Sequence, residues 1–130
     1  KYEGILVSYL SREVTGKKET YEVDGLMCNL ATGIFAIENN DIMSRVSDEV
    51  MSIIKEGVVF LGNRVGGKIF VVIKVSENFK EKFPAVNLMK EVSGILSGQG
   101  GGSPVFARGS GKGPENFERA VERVREIIKQ

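Results

Sequence analysis

The feature that most constrains this fold is a pair of β-rich runs joined by a glycine-containing turn. The first run spans Val58–Leu61 and the second spans Ile69–Val75, and Gly66-Gly67 between them suits a two-residue hairpin turn. The second run includes three successive apolar residues, 71–73, which is typical of a strand covered on both faces. The pattern therefore predicts a hairpin inside a sheet that has helices on both sides.

Helical patterns surround this hairpin. Apolar residues recur at helical spacing over about 41–55, from Pro84 to Gly98, and from Pro114 to the end of the chain. Residues 2–14 fit a strand by alternation and a helix by the spacing of their apolar residues, and charges on the remaining face favour the helix.

Two further segments favour extended structure. Residues 20–38 contain the turn dipeptide Asp24-Gly25, then short apolar runs at Leu26–Leu30 and Ile34–Ile37. Ser103–Ala107 is typical of a short edge strand, because proline lacks a ladder donor. The predicted fold class is α/β (α+β-like): a mixed β-sheet of about five strands covered by helices and preceded by a short N-terminal helix.

Composition excludes several kinds of site. The chain has one cysteine, Cys28, and no histidine, so an internal disulfide and a zinc site of the usual Cys/His kind are both excluded. The commonest general base at neutral pH is also missing. Cys28 lies in an apolar run, which favours a buried structural role. No membrane-spanning stretch or signal peptide is evident, and we expect a cytoplasmic protein. A start at Lys1 suggests a fragment of a longer protein.

Charge is divided unevenly along the chain. Residues 1–56 carry six Lys/Arg and ten Asp/Glu, whereas residues 57–130 carry twelve Lys/Arg and seven Asp/Glu. The second part therefore has a net charge of +5 within a chain whose total is +1. This excess permits a polyanionic partner without requiring one.

Residues 98–113 hold seven glycines, three of them adjacent at 100–102. Adjacent glycines cost ordering entropy, which a chain tolerates where the backbone needs a positive φ or must approach something closely. Successive N–H groups in such a loop can form a nest for phosphate oxygens. A tight structural turn is the alternative, and glycine count alone favours it slightly. The run is neither a Walker A loop nor a Rossmann fingerprint.

The glycine region carries a family resemblance. Ser97–Pro104, with the sequence SGQGGGSP, is followed by Ala107–Gly111, with the sequence ARGSG, and upstream Gly66–Ile69 leads into Val75-Ser76. This arrangement resembles the DHH-associated domain found at the C-terminus of alanyl-tRNA synthetases and of DHH-type phosphoesterases. The resemblance covers roughly residues 33–130 and is specific over 57–113.

The synthetase branch, archaeal-like in form, matches better than the phosphoesterase branch. The phosphoesterases usually have a histidine after the glycine triplet, and this chain has Ser103-Pro104 there. Gln99 and Ser103 stand where the family commonly has Lys and Arg, and Arg108 stands where it commonly has Gln. The alternative is the substrate-binding half of a DHH-type phosphoesterase or nuclease, and a pure dimerisation domain is a third possibility.

The resemblance implies a non-catalytic module of an alanine-tRNA ligase that helps to bind alanine-specific tRNA near the outer corner of the L and supports homodimerisation. It implies residues 1–19 as the end of a helical dimerisation segment and 20–130 as the globular domain. No cofactor is expected here, and ATP and zinc are implied for the full-length parent. The residues expected to contact tRNA are Gln99, Gly100, Gly101, Gly102, Ser103, Arg108, Gly109, Ser110 and Lys112. Those expected at a dimer interface are Tyr2, Leu6, Tyr9, Leu10 and Val14.

Overall fold

The computed structural model of the chain describes residues 2–130. In chain order its elements are α1 (Tyr2–Thr15), β1 (Glu19–Val23), β2 (Leu26–Phe35), α2 (Ile42–Ile54), β3 (Gly57–Val65), β4 (Lys68–Val75), α3 (Ala85–Ile95), β5 (Gln99–Gly102), β6 (Phe106–Gly111) and α4 (Phe117–Lys129). Single turns of 3-10 helix lie at Glu77–Phe79 and Pro114–Asn116. The helix predicted for residues 2–14 is therefore confirmed.

The strands form one mixed sheet in the order β1-β2-β3-β4-β6-β5. β2 and β3 pair in parallel, with α2 as the crossover between them, and every other neighbouring pair is antiparallel. The predicted hairpin is confirmed, since β3 and β4 are joined by Gly66-Gly67 and Gly66 has φ 64°. The mixed sheet covered by helices is confirmed as well, with six strands instead of about five.

Helices cover both sides of the sheet centre. One core cluster lies beneath α1 and α2 and includes Val59, Leu61 and Val72. The other lies beneath α3 and α4 and includes Val71 and Ile73. Successive residues of β4 thus point into opposite cores, which confirms that the strand is covered on both faces.

The last helix closes the second core. The Phe117 ring centroid lies 4.9 Å from that of Phe60. Near the other end of α4, Arg125 donates hydrogen bonds of 2.8 and 3.0 Å to the two carboxylate oxygens of Glu19 on β1. These bonds are the main reason why the pKa of Glu19 lies below its ordinary value. α4 therefore joins the first strand of the sheet to the last residues of the chain.

Two strand predictions were wrong in detail. β2 runs without a break through Thr32-Gly33, because residues Asn29–Phe35 pair with Gly57–Asn63 of β3. The predicted edge strand at 103–107 is mostly a turn, and the flanking glycine-containing segments are the strands β5 and β6. Backbone pairing overrides the weak strand preference of glycine at both places.

Candidate nucleic-acid interface

Half of one sheet face has no helix over it. α1 and α2 pack on β2, β3 and β4 but make no more than marginal contact with β5 or β6, whereas α3 packs against β5 and β6 from the other side. Apart from residues such as Val72 and Phe106, which pack with the core beneath α1 and α2, the residues of β4, β6 and β5 that face away from α3 form an uncovered surface, which we call the open face. Its members are Lys68, Phe70, Gln99, Gly101, Arg108 and Ser110.

The strand register arranges the open face in rows. Phe70 pairs with Ser110 and Ser110 with Gln99, while Arg108 pairs with Gly101 in the next row. Directly opposed side chains in antiparallel strands are about 5 Å apart at Cβ, and diagonal neighbours are about 7 Å apart. Four residues expected to contact tRNA (Gln99, Gly101, Arg108 and Ser110) are thus brought onto one surface.

β5 is an edge strand of the sheet, and its backbone groups alternate between the ladder and the free edge. The N–H of Ser103 donates to the carbonyl of Phe106 at 2.8 Å. Because hydrogen-bonded pairs alternate in an antiparallel ladder, Gly101 also bonds toward β6, and Gly100 and Gly102 turn their N–H and C=O groups outward. The predicted nest of consecutive N–H groups is therefore wrong, since an extended strand separates the outward N–H groups by two residues.

The three adjacent glycines have different structural requirements. A Cβ at Gly100 would lie 2.7 Å from the carbonyl oxygen of Arg108 and 2.6 Å from Cγ of Met89. Gly102 has φ 156°, and a Cβ there would lie 2.3 Å from the carbonyl oxygen of Phe106. A Cβ at Gly101 would meet nothing within 4 Å. The fold therefore explains the outer two glycines and leaves Gly101 unexplained.

Cations border the open face. Arg108 is exposed, forms no ion pair with any residue of 2–130, and has its guanidinium carbon 5.8 Å from the centroid of the Phe106 ring. Lys68 and Lys112 line a neighbouring depression of about 410 Å³ together with Ser97 and Ser110. No carboxylate lines this depression. The border therefore favours an anionic ligand.

The remaining residues expected to contact tRNA have structural roles or lie at the rim. The Ser103 hydroxyl accepts hydrogen bonds from the N–H groups of Val105 and Phe106 at 3.3 and 3.2 Å, which fixes the β5–β6 turn. Gly109 points toward α3, because a Cβ there would lie 2.9 Å from the sulfur of Met89. Lys112 lies just beyond β6 at the rim of the depression.

Sequence reasoning missed Phe70 and Lys68 as members of this surface. Phe70 lies in the run that was interpreted as a covered hairpin strand, and Lys68 immediately precedes that run. The alternation of Lys68 and Phe70 with the buried Ile69 was the available signal, because alternate residues of a strand share a face. The sequence could not indicate that this end of the face lacks a covering helix.

The residues expected at a dimer interface divide between two environments. Leu10 and Val14 are buried in the core beneath α1 and α2, so they are not available to a second copy. Tyr2 and Tyr9 are 83% and 60% exposed, and Leu6 is half-buried. α1 packs on α2 and β2 as part of the same core, and the division of the chain at residues 19–20 stays a prediction.

Other chemistry is limited in the part of the chain that the structure describes. Burial raises the pKa of the Cys28 thiol to about 11, so the thiolate nucleophile is suppressed at neutral pH. Within residues 2–130, no group of three or more His, Cys, Asp or Glu side chains could hold a metal ion. None of the helices in that range combines the length and the apolar character that crossing a membrane requires.

Known proteins resemble this chain in sequence. The family described as "DHHA1 domain" matches residues 28–130. Alanine–tRNA ligase of Fervidobacterium nodosum is 38% identical over 90 residues, which are 69% of this chain and 10% of the relative. That of Thermotoga sp. strain RQ2 is 31% identical over 97 residues, 75% of this chain and 11% of the relative. The matched segments are thus about a tenth of the length of these relatives.

Solved structures agree with the sequence match. The C-Ala domain of Aquifex aeolicus alanyl-tRNA synthetase superposes with a TM-score of 0.79 at 33% identity, covering 88% of this chain and 99% of that one. RecJ of Thermus thermophilus superposes with a TM-score of 0.63 at 15% identity, and the match covers 96% of this chain and 18% of the RecJ chain. At that identity RecJ shares the fold alone. These relatives do not bear on the expected archaeal-like character, which stays a prediction. The chain therefore belongs to the DHHA1 domain family, and within it to the C-terminal domains of alanyl-tRNA synthetases.

Proposed function

We propose that this domain binds tRNA for an alanine-tRNA ligase and that the sugar–phosphate backbone lies across the free edge of β5 and onto the open face. The single observation that carries the proposal is that the fold does not require a glycine at position 101. Gly101 has neither a positive φ nor a neighbour that would exclude a side chain. Gly101 has no side chain and lies opposite Arg108, which has no ion-pair partner within residues 2–130, so an RNA backbone can approach the strand closely there.

Backbone donors and charge support the same contact. The outward N–H groups of Gly100 and Gly102 are hydrogen-bond donors without a partner strand in the sheet. Phosphate oxygens accept such bonds readily, and a glycine edge adds no side chain that would hold them away. Arg108, Lys68 and Lys112 add positive charge without a nearby carboxylate partner. Affinity for RNA should therefore fall steeply with salt concentration.

The test compares two exposed arginines that have no ion-pair partner within residues 2–130. Arg108 lies on the open face, and Arg119 lies on α4, on the other side of the sheet. Arg108→Ala should weaken binding of labelled alanine-specific tRNA and lower the slope of log K against log salt by about one unit, as for one lost phosphate contact. Arg119→Ala, the matched control, should leave both quantities unchanged.

A second variant tests the role of Gly101 directly. Gly101→Val should fold as well as the parent, because a β-branched residue suits an extended strand with free space beside it. It should nevertheless weaken tRNA binding, since the added side chain holds the RNA backbone away from the strand. If folded Gly101→Val and Arg108→Ala both bind tRNA as well as the parent, the RNA-binding surface lies elsewhere.

The wider role is part of the proposal. The partner is alanine-specific tRNA, contacted near the outer corner of its L, and the setting is the cytoplasm. ATP and zinc belong to other parts of the parent ligase, and this domain holds no cofactor. The isolated chain should therefore form no alanyl-tRNA when it is incubated with ATP, alanine and tRNA. Clear turnover by the pure chain would contradict this assignment.

We also propose that the exposed side of α1 supports homodimerisation. Tyr2, Ile5 and Tyr9 are 83%, 65% and 60% exposed and recur at helical spacing, so they form an apolar strip on the surface. Sedimentation of the parent should show a dimer that an Ile5→Glu, Tyr9→Glu variant loses. A parent that is monomeric at concentrations on the order of tens of micromolar would refute this role.

A further inference from the structure

Phe70 is the aromatic residue of the open face, and no cation of residues 2–130 lies over its ring. Lys74 and Arg108 each lie within 6 Å of the Phe106 ring centroid, at 5.9 and 5.8 Å, whereas Phe70 has no such partner. Phe70 is half-buried and lines a depression of about 400 Å³ on the open face. We propose that this depression binds an unpaired nucleobase, which stacks on Phe70.

The polar groups around Phe70 suit the edge of a base. Ser110 lies directly opposite Phe70 in the register, and Gln99 lies opposite Ser110. A hydroxyl both donates and accepts, and a carboxamide offers two donors and an acceptor, so together they can meet the mixed donor and acceptor pattern of a base edge. The ring would therefore supply the stacking surface and this row the hydrogen bonds.

Arg108 connects the base site to the phosphate contact. It is on the strand next to Phe70 and two residues from Ser110, so it is a diagonal neighbour of the ring, about 7 Å away at Cβ. That separation allows one nucleotide to place its base on Phe70 while an adjoining phosphate meets the guanidinium. No carboxylate lines the depression to repel that phosphate.

The site selects unpaired RNA over a duplex. Bases inside an A-form helix are stacked on each other and do not present a face to a protein, whereas bases of loops and single strands can be stacked on an aromatic side chain. The proposal rests on the proposed function and specifies the RNA segment that the open face binds. That segment is a single strand or a loop, in which a base can stack on Phe70.

The test uses a fluorescein-labelled oligouridylate of about twelve nucleotides, within the usual range of single-strand site sizes, and a blunt duplex RNA of equal length. The parent should bind the single strand more tightly. Phe70→Leu should weaken binding of the single strand about tenfold, as for one lost base–aromatic stack, and leave the salt slope and the duplex affinity unchanged. Phe70→Tyr keeps the ring and should restore binding.

Phe35→Leu is the matched control, because Phe35 is a half-buried strand phenylalanine that packs with the core beneath α1 and α2, away from the open face. It should bind like the parent.

If Phe70→Leu binds the single strand like the parent while Arg108→Ala weakens it, stacking on Phe70 is wrong and the phosphate contact stands. If Phe70→Leu weakens binding and Arg108→Ala does not, the base site stands and the phosphate contact is wrong. A parent that binds neither RNA at low salt overturns both.

Discussion

Adding one methyl group at each of two adjacent glycines should have opposite effects on stability. A Cβ at Gly100 would lie 2.6 and 2.9 Å from Cγ and Sδ of Met89, and 2.7 Å from the carbonyl oxygen of Arg108. The Met89 side chain can adjust, but the carbonyl belongs to the neighbouring strand and can move only if β5 shifts relative to β6. Such overpacking typically costs about 1–3 kcal/mol, so we expect Gly100→Ala to lose that amount.

Gly101→Ala should instead be neutral or stabilising. No atom lies within 4 Å of its Cβ position, and its φ is not positive. Alanine removes conformational freedom from the unfolded chain, which contributes about 0.5–1 kcal/mol when the native backbone accommodates it. The two variants should thus differ by roughly 1.5–4 kcal/mol, or about 4 °C in melting temperature for each kcal/mol in a domain of this size.

Urea unfolding followed by far-ultraviolet circular dichroism measures this difference, since the chain has no tryptophan for a fluorescence assay. The midpoint should fall for Gly100→Ala and stay or rise for Gly101→Ala, with equal slopes. Equal destabilisation by both variants would refute the reasoning, because the fold would then require glycine at both positions and Gly101 would no longer point to a ligand.

Three further predictions concern the rest of the domain. The Cys28 thiol should react with an alkylating agent only after unfolding, because it is fully buried and its pKa is raised to about 11; rapid labelling of the native protein would contradict its burial. Glu19→Gln should lower the free energy of unfolding at neutral pH by less than about 1 kcal/mol, since the carboxylate bound by Arg125 is partly exposed. The folded pKa of Glu19 is below its ordinary 4.5, so this difference should shrink as the pH falls below 4.5, and a difference that persisted in acid would have another origin. Gly57→Ala should cost about 3 kcal/mol in urea unfolding, because Gly57 has φ 130° and its Cβ would lie 1.9 Å from the carbonyl oxygen of Asn29; an unchanged midpoint would be inconsistent with this geometry.

The parts of the fold that could be predicted are those with a clear side-chain pattern. The helices were recognised because apolar residues repeat every three to four positions, and the β3–β4 hairpin because two β-rich apolar runs flank Gly66-Gly67. β5 was missed because three of its four residues, Gly100–Gly102, have no side chains from which a period could be read. The break expected at Thr32-Gly33 is absent because pairing with a distant strand, β3, decides the conformation there.

The candidate site was predictable in part for a related reason. Gln99, Arg108 and Ser110 are close in sequence and come together through local pairing of β5 with β6. Phe70 joins them only because β4 is the next strand and because no helix lies over that end of the sheet. That arrangement depends on long-range packing, which a pattern within one segment does not reveal.

The position of α4 has a consequence for how the domain forms during synthesis. Its Phe117 packs on Phe60, and its Arg125 binds Glu19, a partner 106 residues earlier in the chain. The core beneath α3 and α4 is therefore incomplete until α4 has left the ribosome, and the growing chain cannot stabilise this half of the domain in stages. We expect chains that stop before Phe117 to expose that apolar surface and to become substrates for chaperones and proteases.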